Sequence, residues 1–280
     1  MSTRDKFIGV NSIKFNRRFK DDLDCYEYLS SIKWENGYVC RKCNHNKYYN
    51  GKKPFSKRCL RCKYDESPTT NTMFEKLKFP ILIAFHIVFK ISTKKKGMSS
   101  IELSNEFELR QKTCWKFKQK IQQVMKSSLK SPLTGLVHVD EFVIGGPEEG
   151  RRGRSKGAKK LIVLALEIVE DGVGRAYAEV IENSSAKELG SFLRKYVSKN
   201  ADLVSDKWKG YAPLKKEYSK LIQVASNKGK DFKELHIHIM NIKGWLRGIH
   251  HHCSKAHMQN YLNEYHFRYN RRSNMGTIFD

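Results

Sequence analysis

The chain has 280 residues, with 54 Lys and Arg against 29 Asp and Glu, which gives a formal net charge of +25. Because such a surplus sets up a long-range positive potential, we expect nucleic acid as the partner, ahead of a membrane surface or an acidic protein. No apolar run reaches the ~18 residues of a membrane span, and the polar start MSTRDKF differs from a signal peptide, so we expect a soluble protein in a reducing compartment.

Residues 1–75 are predicted to be a helical lead-in followed by a metal-binding module. Within the lead-in, DDLDCYEYLSSIKW has apolar residues at helical spacing. The four cysteines of the pattern C-x2-C-x15-C-x2-C come next, and each pair can aim two thiolates at one tetrahedral centre. These predicted ligands of structural zinc are Cys40, Cys43, Cys59 and Cys62. Between the pairs, YYNGKKPFSKRC predicts a hairpin that turns at Asn50 and Gly51.

Residues 76–130 are predicted to be helical. The run FPILIAFHIVF is too short for a membrane span and indicates a buried helix. After it, Ser99 or Ser100 can cap a short helix that breaks near Glu108, and a longer helix rich in Lys and aromatic residues follows. Two helices with a tight connection indicate a helix-turn-helix, and the alternative is an ordinary helical hairpin whose aromatic residues pack. The net charge favours DNA binding.

After Pro132 the apolar periodicity changes from helix to strand. LVHVDEFVI alternates, KLIVLALEIV is nearly all apolar, and GRAYAEVI alternates again, which predicts three strands. A helix capped by Ser184 or Ser185, strands at ADLVSD and KLIQVA, and helices near 236–247 and 254–270 complete the chain. This order predicts a ribonuclease-H-like mixed sheet over residues 131–280. The fold class is therefore α+β with several domains.

Two aspartates occupy positions where strands of this sheet can meet. Asp140 lies midway along the first strand and Asp206 ends the fourth. Two carboxylates held together repel, and Mg²⁺ relieves the repulsion while accepting phosphate oxygens as further ligands. Glu141 points to the opposite face of the strand, so Asp140 is the favoured ligand. The basic run that follows is expected to contact the DNA backbone through Arg151, Arg152, Arg154 and Lys156.

Four blocks of the sequence, in order, resemble the zinc-ribbon DDE transposases of small bacterial insertion sequences, the ISXO-like group that also includes the Merlin elements of eukaryotes. They are HVDEFVIGG, RRGRSKGAKKLIVLALE, VSDKWKGYAPL and NIKGWLRGIHHHCSKAHMQNYLNEYHFRYNRR. The similarity also extends to the cysteine module and the helices behind it. The resemblance implies an enzyme that cuts and joins double-stranded DNA at the ends of its element, using two Mg²⁺ or Mn²⁺ ions in a ribonuclease-H-like domain.

The resemblance also assigns site residues. The first and second acids of the family fall on Asp140 and Asp206. The third position is Glu in many members and Asn in others, and here it falls on Asn241, with Lys243 as the accompanying basic residue. Asn241 and Lys243 are two residues apart, so a helix would point them in nearly opposite directions, and Asn241 could instead be a helix N-cap.

Two other residues could fill the third position. His236 precedes Lys243 by seven residues and would share its helix face, and Glu264 lies on the last helix. Lys243 and Arg247 are expected to hold the DNA backbone or the scissile phosphate. Further phosphate contacts are predicted at the end of the last helix, at Arg268, Arg271 and Arg272.

A transposase joins two DNA ends, so we expect a homodimer or a larger assembly. It would act in the cytoplasm at the nucleoid of a bacterium, or in the nucleus of a eukaryote. Two alternatives remain open. One is an inactive relic that only binds DNA in a sequence-specific way. The other is a ribonuclease-H-type nuclease that cuts hybrids of any sequence, although such an enzyme would not need the cysteine module or the helix-turn-helix.

Overall fold

The computed structural model describes residues 11–128, 131–145, 159–225, 227–250 and 253–273. The chain divides into two compact units, of which the first extends to Ile121 and the second runs from Gln122 to Ser273. The three-part division at residues 75 and 130 stays a prediction. None of the described helices combines the length and the apolar character that a membrane crossing requires.

The first unit begins with the predicted helical lead-in. It forms α1 (Ser12–Arg18) and α2 (Asp22–Lys33), each capped by the residue before it, Asn11 or Asp21, whose side chain accepts a backbone N–H of the first turn. The apolar run predicted to be a buried helix is α3 (Ile81–Thr93), with seven buried residues. Burial of α3 confirms that prediction, and its Phe89 and Phe85 rings contact Phe15 and Phe19 at centroid distances of 4.5 Å and 5.0 Å.

Two further helices follow, α4 (Ser100–Phe107) and α5 (Gln111–Val124). Ser99 caps α4 in a capping box with Glu102, in which the side chain of each residue accepts the backbone N–H of the other. Glu108 ends α4 in a left-handed conformation with φ 51°, so the predicted cap and break are both confirmed. Whether these helices act as a helix-turn-helix stays a prediction.

The cysteine module is a small antiparallel sheet of β1 (Tyr48–Asn50), β2 (Lys57–Cys59) and β3 (Asp65–Glu66), in that order. The predicted hairpin is present, but its connection is longer than a turn at Asn50 and Gly51. Residues 51–56 form a loop closed by a hydrogen bond from Gly51 N to Ser56 O of 2.8 Å. A Cβ on Gly51 would lie 2.2 Å from Asp65 Oδ1 and from Ser56 Oγ, so the glycine allows close packing of the loop.

The second unit is built on a five-stranded mixed sheet. Its strands are β4 (Leu136–Ile144), β5 (Lys160–Val169), β6 (Gly172–Ile181), β7 (Asp202–Asp206) and β8 (Ile222–Val224). Their order across the sheet is β6-β5-β4-β7-β8. β5 is antiparallel to both β4 and β6, while β7 is parallel to β4 and β8 is parallel to β7. This arrangement confirms the predicted mixed sheet and is consistent with a ribonuclease-H-like fold.

Helices cover both faces of the sheet. One face packs on α6 (Ala186–Tyr196), where Val137 and Val139 join Leu189 and Leu193 in one core. The other face packs on α7 (Lys233–Ile249) and α8 (Lys255–Tyr269), where Phe142 belongs to a second core. Alternate residues of β4 therefore enter different cores, as the alternation in its sequence predicts.

Side chains of α8 and of the residues just after it cover the outer edge of β6. The amide of Asn270 accepts from Ala176 N at 2.8 Å and donates to Ala176 O at 2.9 Å. Gln259 likewise accepts from Val180 N at 2.9 Å and donates to Ala178 O at 3.2 Å. These bonds satisfy backbone groups that an edge strand otherwise presents to other chains. Much of the closing sequence block therefore has a structural role.

Candidate functional site

The four predicted zinc ligands converge. Their sulfur atoms all lie within 4.8 Å of one another, with 3.5 Å between Cys40 and Cys62 and 3.6 Å between Cys43 and Cys59. Four sulfurs at about 2.3 Å from a tetrahedral Zn²⁺ would be separated by about 3.8 Å, so the spacing fits the metal. The thiolates would hold zinc as a structural ion that links the two knuckles of the sheet.

The surroundings favour the ionised thiol of Cys40 and Cys59. A backbone hydrogen bond from His45 lowers the pKa of Cys43, but burial and hydrogen bonds with the neighbouring sulfurs outweigh it and raise that pKa. Burial opposes ionisation of Cys40, but backbone hydrogen bonds from Lys42 and Cys43 lower the pKa of its thiol to about 6. Arg61 N donates to Cys59 Sγ at 3.3 Å in the second knuckle. The core of the ribbon contains little else besides the cysteines, Trp34 and two tyrosines. A core of this size cannot stabilise the sheet alone, so the metal provides folding energy.

The two predicted catalytic aspartates are neighbours in the sheet. In the parallel pair of β4 and β7, Val139 lies opposite Ser205, and the next residue on each strand is Asp140 or Asp206. Adjacent strands are about 5 Å apart, and residues in register point to the same face. The two side chains, 66 residues apart in sequence, therefore point to the same face of the sheet from neighbouring strands, at the end of β7.

Asp206 is held by a rigid loop. Its Oδ1 accepts from Trp208 N at 3.0 Å, and Trp208 Nε1 donates to Ser184 O at 2.8 Å. From β8, Gln223 Nε2 donates to Asp206 O at 3.1 Å and to Trp208 O at 2.9 Å. A Cβ on Gly210 would lie 2.5 Å from Ser184 O, which requires glycine there. Trp208 therefore anchors the loop beside the second aspartate.

Negative charge accumulates around this pair. Tyr211 is fully buried, and the pKa of its phenol is raised well above the usual value by burial and then by the charges of Glu141, Asp140 and Asp206. Glu141 is 8% exposed and lies on the opposite face from Asp140, as predicted. A divalent cation would relieve the repulsion between Asp140 and Asp206, whose carboxylate oxygens are of the type that Mg²⁺ prefers.

His236, on the first turn of α7, lies beside the aspartates. Its Nε2 is 3.9 Å from Asp140 Oδ2, and the Asp140 side chain is only 15% exposed. This nitrogen is shielded from solvent and has no hydrogen-bond partner among the described residues. An imidazole nitrogen in this position can serve as a metal ligand.

The structure does not bring Asn241 to the same place. Because α7 begins at Lys233, Asn241 lies within the helix, and the alternative that it is an N-cap is wrong. At about 100° per residue, Asn241 is turned about 140° from His236 around the helix axis. Its side chain is exposed, whereas His236 faces Asp140.

Lys243 lies on the same side of α7 as His236, as predicted. Its Nζ is 5.5 Å from the ring centroid of Phe142, which follows Asp140 by two residues on the same face of β4. Arg247 follows one helical turn later and is exposed. Lys243, Arg247 and His236 therefore share one side of α7.

Glu264 and Arg268 form a buried ion pair within the second unit. Their side chains are 0% and 5% exposed, and Arg268 Nη2 lies 3.3 Å from Glu264 Oε1. The other carboxylate oxygen accepts from Gln122 Nε2 at 2.6 Å. The predicted phosphate contact at Arg268 needs correction, because its guanidinium is inside the protein. Glu264 is engaged in this cluster, which leaves His236 as the candidate that contacts Asp140.

The other residues predicted to contact DNA are two exposed arginines after α8 and the basic run after β4. Arg271 and Arg272 are exposed, and their guanidinium carbons lie 3.9 Å from the Phe267 ring and 4.3 Å from the Tyr269 ring. Arg272 also donates to Gly174 O at 3.1 Å, so it helps to cover the edge of β6. The basic run that follows β4 lies outside the described residues: Arg151, Arg152, Arg154 and Lys156.

Two residues that support Asp206 lie far from it in sequence. Gln223 on β8 and Ser184 just before α6 hold the loop by hydrogen bonds, and no local pattern marks them for this role. Tyr211 shares the block DKWKGY with Asp206, and its position there predicts packing beneath the second aspartate. Its approach to Glu141 depends on the pairing of β4 with β7.

Two family models match the chain. One, described as an ISXO2-like transposase domain, matches residues 132–270 and contains the aspartate site. The other, described as a transposase zinc-ribbon domain, matches residues 20–65 and contains the four cysteines. No curated protein matches the chain.

Proposed function

The chain belongs to the family of ISXO2-like transposases, and from this premise we propose that it binds the terminal inverted repeats of its own element and cuts and joins DNA by two-metal phosphoryl transfer. The observation that supports this most directly is the position of Asp140 and Asp206, one step beyond a paired position on neighbouring parallel strands. The partner is double-stranded DNA, at the element ends and at the target.

We assign the residues of the site by their positions. Asp140 and Asp206 would hold Mg²⁺ or Mn²⁺, and His236, rather than Asn241, is the proposed third ligand. Ions held by these residues would supply activation of the attacking oxygen and stabilisation of the leaving one. The loop of Trp208 keeps the Asp206 carboxylate in one orientation, so little reorganisation is needed when substrate binds.

The chain's other contribution is to position the DNA. Lys243 and Arg247 hold the scissile phosphate from the side of α7. In the first step, the oxygen of a water molecule bonds to phosphorus, the bond to the 3′ oxygen breaks, and that oxygen takes up a proton. In the second step, the freed 3′ hydroxyl attacks a phosphodiester of the target and displaces its 3′ oxygen. Both steps depend on alignment and charge stabilisation, with no covalent enzyme intermediate.

End recognition is proposed for the first unit. Along the exposed side of α5, Lys112, Lys116 and Lys120 are four residues apart and form one basic stripe, while Phe117 is buried. Such a stripe suits the second helix of a helix-turn-helix in the major groove. Two ends must be joined, so the proposed assembly is at least a homodimer. It would act at the nucleoid of a bacterium or in the nucleus of a eukaryote.

Metal-dependent nicking of a terminal-repeat duplex tests this function. The wild-type protein should nick the duplex with Mg²⁺ or Mn²⁺, and Asp206→Asn should bind the duplex without nicking it. His236→Ala should lower Mn²⁺ affinity about tenfold or more, whereas Asn241→Ala should leave it unchanged. Specific binding without nicking under any metal would reject the enzyme and identify a relic. An effect of Asn241→Ala alone would reject the choice of His236.

A further inference from the structure

The zinc ribbon carries an unusual set of exposed rings. Within the part of the chain that the structure describes, the exposed aromatic side chains are Tyr48, Tyr49 and Phe55, at 42%, 37% and 40% of their surface. All three belong to the hairpin of β1 and β2, which we call the aromatic hairpin (residues 48–59). Since exposed rings cost free energy, their concentration on one small hairpin indicates a binding surface.

Cations accompany both tyrosines. Lys57 Nζ lies 4.1 Å from the ring centroid of Tyr48. On the other side of β1, Lys63 Nζ and Arg58 Cζ lie 5.5 Å and 5.8 Å from the ring centroid of Tyr49. Neighbouring residues of a strand point to opposite sides, so each side of β1 presents one ring with its own cation.

Phe55 is held at the end of the aromatic hairpin in a strained conformation. Its φ of +56° is in the left-handed region, which bulky side chains rarely adopt. The loop around it is fixed by hydrogen bonds between Lys53 and Ser56, at 2.7 Å from Ser56 Oγ to Lys53 O. Strain of this kind persists where the surrounding structure imposes it, often at ligand contacts. Here it keeps an apolar ring in solvent beside the exposed Lys52 and Lys53.

The charge of the ribbon indicates the class of partner. Residues 40–66 contain nine Lys and Arg and two acids, Asp65 and Glu66. Glu66 is buried in an ion pair with Lys33, and Asp65 accepts from Lys52 N at 2.9 Å. The surface is therefore strongly positive, and a polyanion complements it. A duplex would use the cations but not the rings, because paired bases are already stacked on one another.

We propose that the aromatic hairpin binds unpaired nucleotides of single-stranded DNA, with bases stacked on Tyr48, Tyr49 and Phe55 and phosphates beside Lys57 and Arg58. Exposed rings interleaved with cations are the common requirement of single-strand binding, since every base has a face that can stack. This inference rests on the proposed function as a DNA-processing protein. It adds single-stranded DNA as a ligand, in addition to the terminal-repeat duplex.

Fluorescence anisotropy of the full-length, zinc-loaded protein tests the proposal. The probes are a labelled oligothymidylate of about 12 nucleotides, the RNA of the same length and a duplex of random sequence. Tyr49→Ala and Phe55→Ala should each lower affinity for the DNA oligonucleotide about tenfold, and Tyr49→Phe should retain it, because the ring does the stacking. Arg58→Gln should make the slope of log K against log salt concentration shallower by about 0.7, the value for one phosphate contact on a single strand.

The controls separate loss of contact from loss of fold and from loss of catalysis. Val169→Ala, which truncates an exposed apolar residue of β5, should bind as wild type, and zinc content should stay unchanged in every variant. Asp206→Asn should bind the oligonucleotide fully, so a failure to nick DNA leaves this test intact. The proposal would be overturned if the alanine variants bound the DNA oligonucleotide as tightly as wild type. It would also be overturned if they lost as much affinity for the duplex, or if the wild-type protein bound the RNA more tightly than the DNA oligonucleotide.

Discussion

Replacing Arg268 with Met is expected to destabilise the second unit strongly. The change leaves the Glu264 carboxylate, which is 0% exposed, without the guanidinium that now lies 3.3 Å away. Removing one member of a buried ion pair costs about 3–5 kcal/mol, because the remaining charge stays desolvated. Single domains are stable by about 5–15 kcal/mol, so the loss is a large part of the total.

The free energy of unfolding, measured by urea denaturation followed by circular dichroism, provides the assay. The double variant Glu264→Leu with Arg268→Met should recover most of the loss, since an apolar pair of similar volume removes both charges. Lys255→Met is the matched control, because it breaks an exposed ion pair with Glu182, at 57% and 70% exposure, and should cost at most about 1 kcal/mol.

A loss of stability in Arg268→Met no larger than that in Lys255→Met would contradict this expectation. That result would mean that α8 does not bury its charged pair against Gln122. If Arg268→Met bound DNA more weakly at unchanged stability, the phosphate contact predicted from the sequence would be supported instead. Loss of stability with unchanged DNA affinity of the folded fraction would confirm the structural role.

Three further outcomes are expected. Gly210→Ala should cost about 1–3 kcal/mol and weaken Mn²⁺ binding in calorimetry, because a Cβ there would lie 2.5 Å from Ser184 O and the loop of the second aspartate must move. Burial lowers the pKa of His266 to about 4, below the ordinary value of ~6.5 in the unfolded chain. The free energy of unfolding should therefore be highest above pH ~6.5 and should fall by up to about 3 kcal/mol as the pH falls toward 4. A His266→Phe variant should show a flatter pH profile of urea stability. Chelation of zinc, or the substitution Cys59→Ser, should unfold the ribbon and leave the five-stranded sheet intact. Limited proteolysis should then show early cleavage confined to the first unit.

The sequence alone determined the features that depend on local spacing. Two pairs of cysteines, each separated by two residues, can form knuckles in almost any context, and the capping box at Ser99 requires only four residues. The change of apolar period after Pro132 predicted the strands, because side chains alternate along β-structure whatever the topology. Placing Asp140 within one strand and Asp206 at the end of another followed from the same periodicity.

Only the tertiary structure decided which side chains of the helices reach the aspartates. The sequence allows α7 to begin at any of several residues near 233. A shift of one residue in its register against the sheet would turn every side chain by about 100° around the helix axis. The contacts of α7 with the sheet set that rotation, and they bring His236 to Asp140 while Asn241 faces solvent. Likewise, the basic residues at the end of the chain look alike in sequence. Packing of α8 against β6 buries Arg268 and leaves Arg271 exposed, because burial depends on contacts between residues far apart in the chain.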